Sequence, residues 1–199
     1  MNIVERAKNI IVKPKDEWNV IATENTPPTQ LVVSYLLILA LIPAAAQFIR
    51  YGLIGFNIPL VGHVSASIAA GIRYAIIGFI SYFVGAYLSA FIIDILATSF
   101  GSQKNFGKAM ELVVYSYTPM LIASIFQMIP GLGILAIVGF YGLYLLYIGF
   151  KPMMFTPDDK ITGYFVVSLV VIIVVYFVLS LILTSLFITS ALTGAAIGM

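Results

Sequence analysis

Residues 161–199 carry not one charged side chain. An uncharged apolar run of about 18 residues or more is a candidate bilayer span. Water-soluble domains bury far shorter core segments and carry more charge. The rest of the chain has the same character: 61% of its residues are apolar, 9% are charged, and the mean hydropathy is +1.08. The lipid bilayer is therefore the solvent for most of this protein, and its function must be built from groups held in or beside that layer.

Five uncharged or nearly uncharged segments stand out. They are 31–49, closed by Arg50 and Tyr51; 74–100, interrupted by Asp94; 112–129, ended by Pro130 and Gly131; 132–150, closed by Lys151 and Pro152; and a fifth within 161–188. Hydrocarbon offers no partner to a bare backbone amide, so each segment is predicted to be a helix. The fold class is an all-α polytopic transmembrane helix bundle of five spans, a multi-pass protein of the cell membrane. Its span domain covers 30–190, after a segment 1–29 and before a short tail 191–199. The first 28 residues mix acids and bases and lack the apolar stretch of a secretory signal, so insertion is expected through the first span. Residues 51–73 are apolar for a loop, yet Gly52, Gly55, Asn57, Pro59 and Gly62 break a helix there. The part from 64 to 73 reads either as an interfacial helix or as an extension of the second span.

Orientation follows from Lys and Arg placement. With the N-terminus cytoplasmic, Arg6, Lys8, Lys13, Lys15, Lys104, Lys108, Lys151 and Lys160 lie inside, and only Arg50 and Arg73 lie outside. Five spans then put the C-terminus outside. Residues 2–12 form an amphipathic helix with Ile3, Ala7, Ile10 and Ile11 on one face and Glu5, Arg6 and Asn9 elsewhere, ended by Pro14. Two placements are open for it. It lies on the cytoplasmic surface, with Trp18 as an interfacial anchor in the headgroup layer, or it packs on the inner ends of the bundle.

Several function classes drop out. There is no cysteine, which removes disulfides, thiolate metal sites and thiol nucleophiles. A net charge of +2 is too small to argue for nucleic acid. His63 has no carboxylate near it in sequence, and no phosphate loop or nucleophile–base pair is visible. The expectation is a protein that is not an enzyme and uses no cofactor or metal.

Asp94 is the one acid well inside a span, a position that defaults to a functional hypothesis. It lies about 9 Å from the cytoplasmic end of that span by helical rise. This shallow depth favours a structural polar contact over a proton or ion relay. The second and third spans are joined by a short loop, so Tyr115, Ser116 and Lys108 are its expected hydrogen-bond donors. Gly71, Gly78 and Gly85 recur at seven-residue spacing and suit close helix packing in lipid. Pro43 and Pro119 sit inside the first and third spans and predict kinks, with Ser116 placed to satisfy the freed backbone. Tyr141, Tyr144 and Tyr147 step along the fourth span, more as packing and interfacial residues than as a wet stripe.

The stretch Phe106-Gly-Lys-Ala-Met-Glu-Leu-Val-Val-Tyr-Ser-Tyr-Thr-Pro119 resembles the central motif of the Yip domain (Ypt/Rab-interacting protein) family. Ile129-Pro130-Gly131, the ending Tyr147-Ile-Gly-Phe150, and Pro14, Glu17-Trp18 and Ile21 are similar to the family's pattern as well. The resemblance covers nearly the whole chain and implies five spans with a cytoplasmic N-terminus. The long polar N-terminal region and the acidic-Leu-Tyr-Gly-Pro motif of eukaryotic members are absent; Asp94-Ile-Leu96 is a distant echo. Rab association is therefore not carried over, and the chain resembles a short prokaryotic member. The resemblance implies a small multi-pass membrane protein. The small-residue seam, the amphipathic N-terminal helix and the lack of a catalytic constellation lead to the expectation of a non-enzymatic, Yip-like protein that associates through its helices and organises its bilayer or serves trafficking-like roles. Its expected partners are the bilayer, a second copy or other membrane proteins. The alternative is a small transporter or channel using Asp94 and the kinked spans. A reporter fused after residue 199 is expected outside the cytoplasm and one at Ser102 inside; a cytoplasmic C-terminal reporter would break the five-span count.

Overall fold

The computed structural model describes residues 2–58, 62–129 and 131–197. Pro59 and Pro130 of the turns and Met199 of the tail lie outside the described residues. Five helices are long and apolar enough to cross a bilayer. They run Pro28–Ile54, Ile68–Phe100, Phe106–Met128 and Leu132–Met154, with the fifth at Ile161–Ile197. Each of the first four is longer than its uncharged stretch, because local signals set helix ends and hydropathy does not. Pro28 opens the first span at a position whose amide needs no partner. Ser67 precedes the second, so residues 68–73 extend that span. Gly101, at φ 66°, closes it in the left-handed conformation. The Asn105 side chain caps the third span by accepting from the Lys108 amide at 3.1 Å. The fourth span ends at Phe155, with Pro152 inside its last turns, so Lys151-Pro152 does not close it.

Between the first two spans a small antiparallel hairpin pairs β1 (Phe56–Ile58) with β2 (Gly62–Val64). Ahead of the spans come two short helices, α1 (Ile3–Val12) and α2 (Pro14–Thr23). Pro14 starts α2 as well as stopping α1.

The prolines act differently from one another. Pro43 sits inside the first span, between wider π-helical turns at Val32–Leu36 and Phe48–Ile54. Pro119 does not kink a continuous helix. The third span stops at Ser116 and restarts at Thr118, placing Pro119 in the first turn of the new segment, where its missing amide costs nothing. The Ser116 hydroxyl, expected to satisfy a freed carbonyl, is buried with no partner among the described residues.

The third span is the axis of the bundle. Within its most apolar stretch 72% of residues are buried, against 11% for the fifth span, which lies on the periphery. Its neighbours approach closely wherever glycine allows it. A Cβ on Gly71 would stand 2.5 Å from the Gly52 Cα, so the first and second spans touch backbone to backbone there. At Gly78 and Gly85 the vacated space is taken by side chains, the Gln47 amide and the Tyr176 hydroxyl. Leucine at either kind of position overpacks the seam. We expect Gly71→Leu and Gly85→Leu each to cost about 1–3 kcal/mol, read as lower melting temperatures in detergent. Val170→Leu, on the exposed face of the fifth span, should leave melting unchanged.

Candidate functional site

Charged residues are scarce in this chain, and five of them meet in one buried cluster. Arg6 is fully buried; one guanidinium nitrogen donates to Glu17 at 2.5 Å and the other to Glu24 at 2.5 and 2.6 Å. Beside it, the Lys108 ammonium donates to Glu111 at 3.0 Å, to the Ile21 carbonyl at 3.2 Å and to the Glu24 carbonyl. Glu111 in turn accepts from the Thr26 amide at 3.1 Å. Two cations thus serve three carboxylates, and the pairs tie α1, α2 and the lead-in to the first span onto the third span. Removing a buried charge from water costs several kcal/mol, which only close pairing offsets.

Aromatic side chains enclose the cluster. The Arg6 guanidinium lies over the Tyr115 ring, 5.5 Å from its centroid. Tyr35 and Trp18 meet the same ring edge-on at 4.8 and 6.3 Å. The Tyr35 hydroxyl pairs with Thr118 at 2.8 Å. Trp18 is 1% exposed, its indole N–H donates to the Leu145 carbonyl at 3.1 Å, and its ring lies where a side chain on Gly149 would have to be. Tyr141 donates to the Ile11 carbonyl at 3.1 Å, from the start of the α-helical part of the fourth span. An open cavity of about 430 Å³ adjoins the cluster, lined by Glu24, Thr26, Gln30, Ser34 and Tyr35 among others.

Three expectations are corrected here. Trp18 is no headgroup anchor; an indole suits a wet boundary or a packed core with one acceptor, and Leu145 supplies the acceptor. Arg6 does not stand apart from the apolar face of α1: Ile3, Arg6, Ala7 and Ile10 form one stripe, and Arg6 is buried on it. Asp94 is buried, but its Oδ1 has no partner among the described residues and bonds to none of Lys108, Tyr115 or Ser116. Equal depth on two helices leaves their rotation free. Lys108, Glu111 and Tyr115 share a face turned to the N-terminal helices, whereas Phe106 and Tyr117 of the same span meet Tyr87 and Ser89 of the second. Tyr164 of the fifth span passes over this region and donates to the Ile93 carbonyl.

The tyrosines of the fourth span do not form one polar track. Tyr141 reaches α1, Tyr147 meets Thr162 at 3.2 Å, and Tyr144 is exposed. Among the described residues no group of His, Asp and Glu could hold a metal ion.

The residues that make the cluster on the third span are those of the stretch from Phe106 to Pro119, and a profile of the Yip1 domain matches residues 8–195 of the chain. The chain belongs to the Yip1 domain family. Among curated proteins it is similar to inner membrane protein YohC of Escherichia coli K12, 25% identical over 145 residues, spanning 71% of this chain and 74% of that protein. The same named protein of Escherichia coli O6:H1 matches equally. No solved structure matches. This Yip1 domain protein is a multi-pass protein of the cell membrane. The Yip1 match begins within α1, and the packing of Arg6, Trp18 and Ile21 likewise joins the N-terminal helices to the spans.

Arg6→Ala strands Glu17, whose side chain is 10% exposed, beside no cation in this cluster except Lys108. We expect it to cost about 3–5 kcal/mol. Adding Glu17→Gln should recover part of the loss. Thermal melting gives the cost, and hydrogen exchange over residues 3–23 should rise selectively in the single variant.

Proposed function

We propose that this Yip1 domain protein is non-catalytic and works by helix-mediated association and by shaping its bilayer. The observation that carries the reading is the asymmetry of the bundle. At the lysine-rich end, α1 and α2 are wedged among the spans. The Ile11 carbonyl meets Tyr141, about 20 Å from the end of the fourth span at Met154 by helical rise. Among the described residues the opposite end carries just the β1–β2 hairpin outside the spans. A body wider in one leaflet than the other favours curved bilayers. The exposed apolar faces of the second and fifth spans supply area for a second copy or another membrane protein.

The test is reconstitution into phosphatidylcholine–phosphatidylglycerol vesicles, with diameters measured by cryo-microscopy and association by chemical cross-linking. The protein should narrow the vesicles as its density rises and yield cross-linked species, and Arg6→Ala should weaken the narrowing. Unchanged vesicles and a monomer at every density would overturn the reading. The bare oxygen of Asp94 favours a second reading, a small transporter. Solute or ion flux from the same vesicles that is abolished by Asp94→Asn would replace the first reading with the second.

A further inference from the structure

Away from the charged cluster, a cavity of about 400 Å³ lies between the spans, lined by Gln47, Gly78, Ser81, Tyr82, Tyr117 and Tyr176 among others. Small-molecule sites fall in the range of about 300–1,000 Å³. Four spans contribute to it: Gln47 from the first, Gly78 to Gly85 from the second, Tyr117 from the third and Tyr176 from the fifth. Its rim includes Ser81, Met120 at 38% exposure and Tyr176 at 37%, all on spans, so its mouth faces lipid and not water.

The polar groups here are under-used. The Gln47 amide and the Tyr82 hydroxyl make no hydrogen bond among the described residues, and the Tyr117 and Tyr176 hydroxyls converge over Gly85. Donors held in hydrocarbon without acceptors are costly. The glycines explain how such groups come to be there. A Cβ at Gly78 would collide with the Gln47 amide, and one at Gly85 with the Tyr176 hydroxyl, so the seam makes room for polar side chains against the second span. Among the described residues no Asp, Glu, Lys or Arg lines the space. A charged headgroup would enter without a counter-charge, at a large desolvation cost.

We infer that this cavity binds the uncharged, carbonyl-bearing polar end of a membrane lipid, entering sideways from the bilayer. Carbonyl oxygens accept from Gln47 and Tyr82 and need no acceptor in return, while the three tyrosine rings and Met120 pack against the flat carbonyl group. Two lipid classes carry that chemistry, diacylglycerols through ester carbonyls and isoprenoid quinones through ring ketones.

The experiment uses the full chain in lipid nanodiscs with three photoreactive probes: a diacylglycerol, an isoprenoid benzoquinone and a phosphatidylcholine. Cross-links are mapped by mass spectrometry. One neutral probe should label the segments 78–85 and 117–120 about tenfold more than phosphatidylcholine does, the margin of one good hydrogen bond. Which of the two does so names the lipid class. Gln47→Leu and Tyr82→Phe should each reduce that labelling several-fold without lowering the melting temperature. Should Gln47→Leu misfold, Tyr82→Phe, which removes a single oxygen, carries the test alone. Equal labelling by all three probes, labelling spread evenly to lipid-facing positions such as Ile137 and Val170, or labelling unmoved in the folded variants would overturn the inference.

Discussion

A single guanidinium organises the lysine-rich half of this molecule. Arg6 is fully buried and holds Glu17 and Glu24 at once, so neither α1 nor α2 can leave without exposing charge to an apolar surrounding. The lead-in to the first span follows, because Glu24 also offers its carbonyl to Lys108 and the neighbouring Thr26 amide reaches Glu111. The third span is fixed in rotation by the same bonds. Its Lys108, Glu111 and Tyr115 must face the N-terminal helices, which decides what its other faces present to the second and fourth spans.

That rotation accounts for the packing elsewhere. With Tyr115 committed to Arg6, Tyr35 and Trp18, Tyr117 turns to Ser89 and the space above Gly85. The break at Tyr117 lets the chain restart at Pro119 without an unsatisfied amide. The fourth span then meets the third through small residues, and a Cβ on Gly139 would stand 3.0 Å from the Met120 Cα. Over Ile161–Leu179 the fifth span has few buried positions and is held by Tyr164, stacked on Phe100 at 5.0 Å and bonded to the Ile93 carbonyl.

The spans were legible in the sequence because length and absence of charge are one-dimensional properties, and so is the bilayer's demand. Helix ends were less so, since Ser67, Asn105 and Phe155 act through local geometry that hydropathy does not register. The charged cluster was hidden for a different reason. Arg6, Glu17 and Glu24 are spaced by no periodicity a single helix would show, and their pairing exists only after α2 folds back on α1. One signal was available: at helical spacing Arg6 falls beside Ile3, Ala7 and Ile10, so a cation on the apolar stripe demanded an acid from elsewhere. By residue count Asp94 and Tyr115 fall at similar depth, but depth leaves azimuth undetermined. Glycines at 78 and 85 announced vacant space without saying that an amide and a hydroxyl would fill it.

Trp18 and the carbonyl it bonds at Leu145 are 127 residues apart in the chain. The N-terminal helices precede the spans in the chain, yet the seat of Trp18 is incomplete until the fourth span is in the membrane. Until then α1 and α2 carry an apolar stripe that the third span covers only in part, while Arg6, Glu17 and Glu24 pair among themselves. The packing of the N-terminal helices is therefore completed only by spans made after them. The fifth span joins at the edge, where its Tyr164 and Tyr176 close the face of the second span.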